Sequence, residues 1–77
     1  MDKFGERLKM ARKKKGVQAY VLEDLCGIGR NAIYEYEEGA RIPRLDKAVE
    51  IAKRLDASLD YLTGLSEESN PLFYSKK

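Results

Sequence analysis

Residues 22–39, LEDLCGIGRNAIYEYEEG, decide the fold. Leu22 and Cys26 stand at i and i+4 and share one face of a helix that Gly27 ends. Ile33 and Tyr36 stand at i and i+3 and share one face of a second helix, which Gly39 ends. Only Gly27-Ile28-Gly29 separates the two, so the chain must turn tightly and lay the second helix across the first. The first of the pair is expected from about Gln18 to Cys26 and the second from about Arg30 to Glu38. Ile33 and Tyr36 anchor the second helix, with Ile28 leading in, and Arg30, Asn31, Tyr34 and Glu35 are left outside. That outer set begins with two side chains suited to base edges, because arginine pairs bidentately with guanine and asparagine with adenine. The unpaired N–H groups at the start of such a helix also favour phosphate.

Helical spacing continues on both sides. Phe4, Leu8 and Ala11 lie at i, i+4 and i+7, which predicts a helix from Asp2 or Lys3 to Lys15, stopped by Gly16 after a lysine-rich last turn. Downstream, residues 39–43 form a loop closed by Pro43, and Leu45, Ala48, Val49, Ala52 and Leu55 are expected to face inward from a fourth helix. Ser58 can cap a short fifth helix through Leu62, before Gly64. Strand-like alternation is absent, so the fold class is all-α, a compact bundle of five short helices. We divide the chain into a domain over 1–64 and a tail over 65–77. The tail is polar from Ser66 to Pro71 and then apolar at Leu72, Phe73 and Tyr74. It is either disordered, folded back on its own domain, or docked on a second subunit.

Composition excludes several classes of function. A single cysteine, Cys26, allows no internal disulfide, and with no histidine it cannot build a zinc site. Cys26 reads as a small buried hydrophobe. No Ser-centred triad or Gly-rich phosphate loop occurs, and the pairs Glu37-Glu38 and Glu67-Glu68 read as solvated charge, so no enzyme, cofactor or small-molecule ligand is expected. No apolar run spans a bilayer and no signal-peptide core is seen, so a soluble cytoplasmic chain without a membrane partner is expected. The net charge is only +2. Its distribution is more telling: residues 1–20 net +5, residues 21–40 net −4, and the remainder +1. The basic run Arg12-Lys13-Lys14-Lys15 is either a phosphate-facing rim or a solvated helix face.

Taken together, the chain resembles the phage lambda repressor and Cro-like family of helix-turn-helix domains. The resemblance rests on Phe4-Gly5-Glu6-Arg7-Leu8, Lys15-Gly16-Val17 and Leu22. It continues through Gly27-Ile28, Arg30, Ile33, Tyr36-Glu37, Gly39, Arg41-Ile42-Pro43, the block Leu45 to Leu55, and Ser58-Leu59-Asp60-Tyr61-Leu62 with Gly64. It runs without a gap from Phe4 to Gly64. It implies a sequence-specific DNA-binding regulator, a repressor bound as a homodimer to a palindromic site on double-stranded DNA, with the third helix in the major groove. It implies base reading by Arg30, Asn31, Ala32, Tyr34 and Glu35. Phosphate contacts are implied at Gln18 and Ala19 and at Ala40 and Arg41; Tyr20, Arg44, Lys13 and Lys14 are further candidates. It also implies a buried ion pair between Arg12 and Glu37. We expect the dimer surface at Leu59, Tyr61 and Leu62 with Leu72 and Phe73 of the tail. Such stand-alone proteins come from phages, mobile elements or toxin–antitoxin operons of bacteria.

Four departures from that pattern bear on function. Ala19 replaces a glutamine that commonly touches phosphate. Glu23 replaces a small residue where the second and third helices cross, so either the crossing is looser or Glu23 splays outward. Gly29 replaces the usual capping Ser or Thr of the third helix. Glu35, Glu37 and Glu38 crowd the half of that helix nearest the phosphates. Ala19 and the acidic third helix keep a second function open, a protein-interaction module such as an antitoxin or anti-repressor partner with weak or no DNA binding.

Overall fold

The computed structural model describes residues 3–67. These fold into α1 (Phe4–Lys15), α2 (Ala19–Cys26), α3 (Ala32–Glu38), α4 (Leu45–Leu55) and α5 (Leu59–Thr63), with no strand among the described residues. The core is built from the predicted stripes: Phe4, Leu8 and Ala11 of α1, Leu22 and Cys26 of α2, and Ile33 and Tyr36 of α3. α3 packs on α1 and α2, while α4 lies against α2 and α5.

Two boundaries are local chemistry. At Gly27 the chain takes φ 66°, which a side chain resists, and this lets Ile28 N–H donate back to Glu23 O at 3.0 Å. Ile28 is thereby tucked against the core. Ser58 Oγ accepts from Tyr61 N–H at 3.0 Å and starts α5 as its position suggested.

Two expectations need correction. The helix predicted from Arg30 begins at Ala32, because Asn31 sits in the left-handed region at φ 67° and breaks the helical path before it. On α4 the buried face is Ala48, Ile51, Ala52 and Leu55. Leu45 is 73% exposed and Ile51 fully enclosed, so the stripe is rotated from the predicted one, and Val49 is half-buried at its edge. Leu45 is the first residue of the helix and lies off the buried face, whereas i, i+3, i+4 and i+7 from Ala48 form a continuous face.

Polar side chains tie the helices together. Lys47 Nζ donates to Cys26 O at 3.3 Å and so places a cation at the negative end of α2. Arg7 lies on the buried side of α1, between Phe4 and Leu8. Its guanidinium donates to Tyr61 O at 2.9 Å and Ser66 O at 2.6 Å, and stacks over the Tyr61 ring at 4.4 Å. It also reaches Glu67 Oε1 at 3.2 Å, which fixes the chain just beyond Gly64. Leu72 and Phe73, and the choice among the readings of the tail beyond Glu67, lie outside the described residues.

Candidate nucleic-acid interface

α3 is held by one side and free on the other. Ala32, Ile33 and Tyr36 are buried; Tyr34 is 63% exposed. Arg30 and Asn31 are exposed on the two residues before the helix, and neither side chain has a hydrogen-bond partner among the described residues. Among the five base-reading candidates, the structure therefore leaves Arg30, Asn31 and Tyr34 open. Ala32 is enclosed, because the later helix start turns it toward the core, and its side chain is not offered to a groove. Glu35 is half-buried and engaged: Arg41 Nη1 donates to its Oε1 at 2.8 Å.

That contact joins two groups assigned separately on the sequence, one to bases and one to phosphate. The Arg41 guanidinium also lies 5.6 Å from the centre of the Tyr36 ring. Arg41 Nη1 and Ala40 are carried close to the end of α3, since both Ala40 N–H and Arg41 N–H donate to Glu35 O. Arg44 precedes α4, exposed, with its Nε 3.5 Å from Asp46 Oδ1. Gln18 precedes α2 in extended conformation, exposed and making no capping bond with its side chain. Ala19 is half-buried and packs on the core, and Tyr20 beside it is exposed. Lys13 and Lys14 are exposed in the last turn of α1 and form no ion pair among the described residues.

The acidity of α3 is largely paired. Arg12 Nε donates to Glu37 Oε2 at 2.7 Å and Arg12 Nη2 to Oε1 at 3.2 Å, a two-pronged contact that is almost enclosed. Hydrogen bonding to Glu37 holds the Arg12 pKa above its ordinary range against the opposing effect of burial. Glu35 is paired with Arg41, and Glu38 is exposed.

Glu23 does not splay outward. It is buried, and its Oε2 accepts from Ile33 N–H at 3.1 Å. Sequence reading missed this contact because it joins residues ten positions apart on crossing helices. The missed Arg7 contacts had a sequence signal: a charged residue at i+3 from Phe4 and i−1 from Leu8, inside a buried stripe.

Of the expected dimer residues, Leu62 is fully enclosed in the core, because it is the residue that α5 turns inward against α1 and α4. Leu59 and Tyr61 are half-buried, with Tyr61 Oη 3.9 Å from the exposed Met10 Sδ, and Leu65 beyond the helix is exposed. No group of metal-ligating side chains occurs among the described residues. No helix among them is long and apolar enough to cross a membrane.

Comparison with known proteins defines the class. A helix-turn-helix family profile matches residues 8–62, and the chain belongs to this family, in its lambda repressor/Cro-like form, which is a family of regulator domains and not of enzymes. The HTH-type transcriptional regulator YqaE of Bacillus subtilis is 43% identical over 67 residues, covering 87% of this chain and 56% of that protein. The regulator ImmR of the same organism is 35% identical over 66 residues, covering 86% of this chain and 52% of its own. The chain thus spans about half the length of the curated relatives it matches. The P22 c2 repressor, solved in complex with a synthetic operator, superposes with TM-score 0.72 at 30% identity, covering 77% of this chain and 89% of that one. The N-terminal DNA-binding domain of SinR from Bacillus subtilis shares the fold, with TM-score 0.74 at 23% identity over 82% of this chain and 93% of that domain.

Proposed function

We propose that this chain is a sequence-specific DNA-binding transcriptional regulator, a repressor that binds an operator in the cytoplasm with α3 in the major groove. The observation that carries this reading is the one-sided anchoring of α3: Ala32, Ile33 and Tyr36 inside, Arg30, Asn31 and Tyr34 outside. Arg30 and Asn31 read bases, and Tyr34 contacts a thymine methyl or a phosphate. Gln18, Tyr20, Arg41, Arg44, Lys13 and Lys14 hold the phosphates, with Ala19 and Ala40 bringing backbone near them. The operator complex of the P22 c2 repressor, a protein 30% identical to this one, supports the assignment.

The chief objection to DNA binding is the acidity of α3. Pairing of Glu37 with Arg12 and of Glu35 with Arg41 reduces it to one unpaired carboxylate at Glu38 among the described residues. The reading as a protein-interaction module drew its support from that acidity and from Ala19, and loses the first of the two.

We also propose a homodimer on two half-sites, since one domain of this size makes few base contacts. The surface open to a second copy at α5 is Leu59 and Tyr61, followed by Leu65, rather than Leu62.

Selection from random duplex DNA at low salt tests the function directly. A recovered motif whose binding weakens steeply with added salt is expected, as for a protein that neutralises several phosphates. Recovery of no motif refutes it.

A further inference from the structure

Glu23 and Gly29 depart from the family pattern at separate places in the sequence, and the structure joins them. Gly29 offers no side-chain acceptor to the start of α3. Asn31, the residue that precedes the helix, lies at φ 67° and ψ 3°, outside the extended conformation of a capping residue, and its side chain makes no capping bond. The first turn of α3 therefore lacks a cap from its own segment. It receives one from another helix: Ile33 N–H donates to Glu23 Oε2 at 3.1 Å, within the buried crossing of α2 and α3. A carboxylate at that end also suits the helix dipole.

The segment that carries Arg30 and Asn31 is thus clamped at both ends. Ala32 N–H donates to Gly29 O at 3.2 Å and closes the turn, and the next amide is taken by Glu23. We propose that Glu23 is a positioning residue: capping α3 from α2, it sets the angle of crossing and the place at which Arg30 and Asn31 are presented. A hydroxyl at position 29 would accept from the amide of Asn31 or Ala32, so Glu23 serves the turn at an amide that no local cap reaches. The inference rests on the proposed DNA-binding function for its consequence, but its structural half is independent of DNA.

The test uses the full chain and three variants. Glu23→Met keeps the volume and removes the acceptor. Glu23→Gln keeps an acceptor. Glu23→Ala with Gly29→Ser removes the carboxylate and offers a local cap to Asn31 and Ala32 from position 29, where a Cβ meets nothing within 4 Å. In the free protein, Glu23→Met is expected to speed hydrogen exchange at the Ile33 amide about tenfold beyond any change at the Leu8 and Ile51 amides, Glu23→Gln is expected to restore protection, and Glu23→Ala/Gly29→Ser is expected to leave Ile33 fast. With the selected duplex, Glu23→Met is expected to lower the preference for that site over random duplex about tenfold, with non-specific binding and its salt dependence unchanged, and Glu23→Gln is expected to recover it. Exchange at Ile33 that changes only in step with Leu8 and Ile51, or a site preference untouched by Glu23→Met, overturns the inference and leaves the DNA-binding reading standing. A native chain that selects no site overturns the DNA-binding reading and the consequence for site preference, while the cap itself stands or falls on exchange at Ile33. Should Glu23→Met fail to fold, the Glu23→Ala/Gly29→Ser chain decides the structural half: Ile33 as protected there as in the native chain overturns it.

Discussion

Arg12 of α1 and Glu37 of α3 meet in a two-pronged ion pair, with Nε to Oε2 at 2.7 Å and Nη2 to Oε1 at 3.2 Å. The same guanidinium donates to Val17 O at 3.2 Å, so one side chain ties the end of α1, the loop that follows it and the last turn of α3. Arg12→Ala leaves the enclosed Glu37 carboxylate without its cation and is expected to cost about 3–5 kcal/mol. Replacing both by methionine is expected to recover most of that loss. Urea denaturation of the two variants, compared at unchanged slope, checks the pair. Because Arg12 is held above the ordinary arginine range, the stability it contributes is lost only as pH rises through that raised value, and is expected to be flat over about pH 5–9.

Gly5 lets the backbones of α1 and α3 touch. A Cβ built there would lie 2.5 Å from Glu37 O and 2.7 Å from Tyr36 O, and neither carbonyl belongs to a flexible side chain. Gly5→Ala must therefore force α1 away from α3, and is expected to destabilise by about 1–3 kcal/mol although alanine favours helix more than glycine does. Thermal denaturation reads the sign: a raised midpoint would show that the two helices are not in close contact at this point.

Base reading and phosphate grip should separate by mutation. Arg30→Ala is expected to cost about 1–3 kcal/mol at one base pair of the selected site and to relax preference there. Lys13→Ala is expected to weaken binding evenly across sequences and to reduce the salt slope by about 1. Arg41→Ala has a mixed outcome, because it also frees Glu35 near the duplex, and is expected to exceed Lys13→Ala in its effect. Titrations at several salt concentrations, on the selected site and on scrambled duplex, compare the three.

Cys26 is buried, and burial pushes its thiol above the usual range; the nearby Glu50 acts in the same direction, while Arg54 and Lys47 oppose it. A thiol raised in the folded state contributes stability that is fully present below the unfolded value and is lost as pH rises from there through the raised folded value. Stability is therefore expected to decline above about pH 8.5, and Cys26→Val is expected to flatten that decline. Alkylation by iodoacetamide at fixed pH gives a second readout: slow in the native protein and fast in urea.

The periodicity of apolar residues was enough to establish five helices and most of the core, because each helix is short and its stripe at i, i+3 and i+4 is visible within one segment. The glycines after each turn made most helix ends legible for the same local reason. α4 was harder, since Leu45 and Ile51 both lie at positions compatible with an apolar stripe and only the packing of α2 and α5 decides between them. Arg30 and Asn31 could be singled out by their chemistry, yet their position before the helix and not on it depends on the backbone at Asn31.

The sequence by itself therefore determined the class of fold, the order of the elements and the pair of side chains chemically fit to read bases. These follow from local spacing and from the donors and acceptors each side chain carries. The resemblance implied the Arg12–Glu37 pair, but tertiary structure alone decided where the other polar groups are engaged: Arg7 on α5, Glu23 on the first turn of α3, and Arg41 on Glu35 at the surface. Each of these contacts joins residues of different segments, so its existence depends on how the segments are brought together, a relation that no pattern within a single helix records.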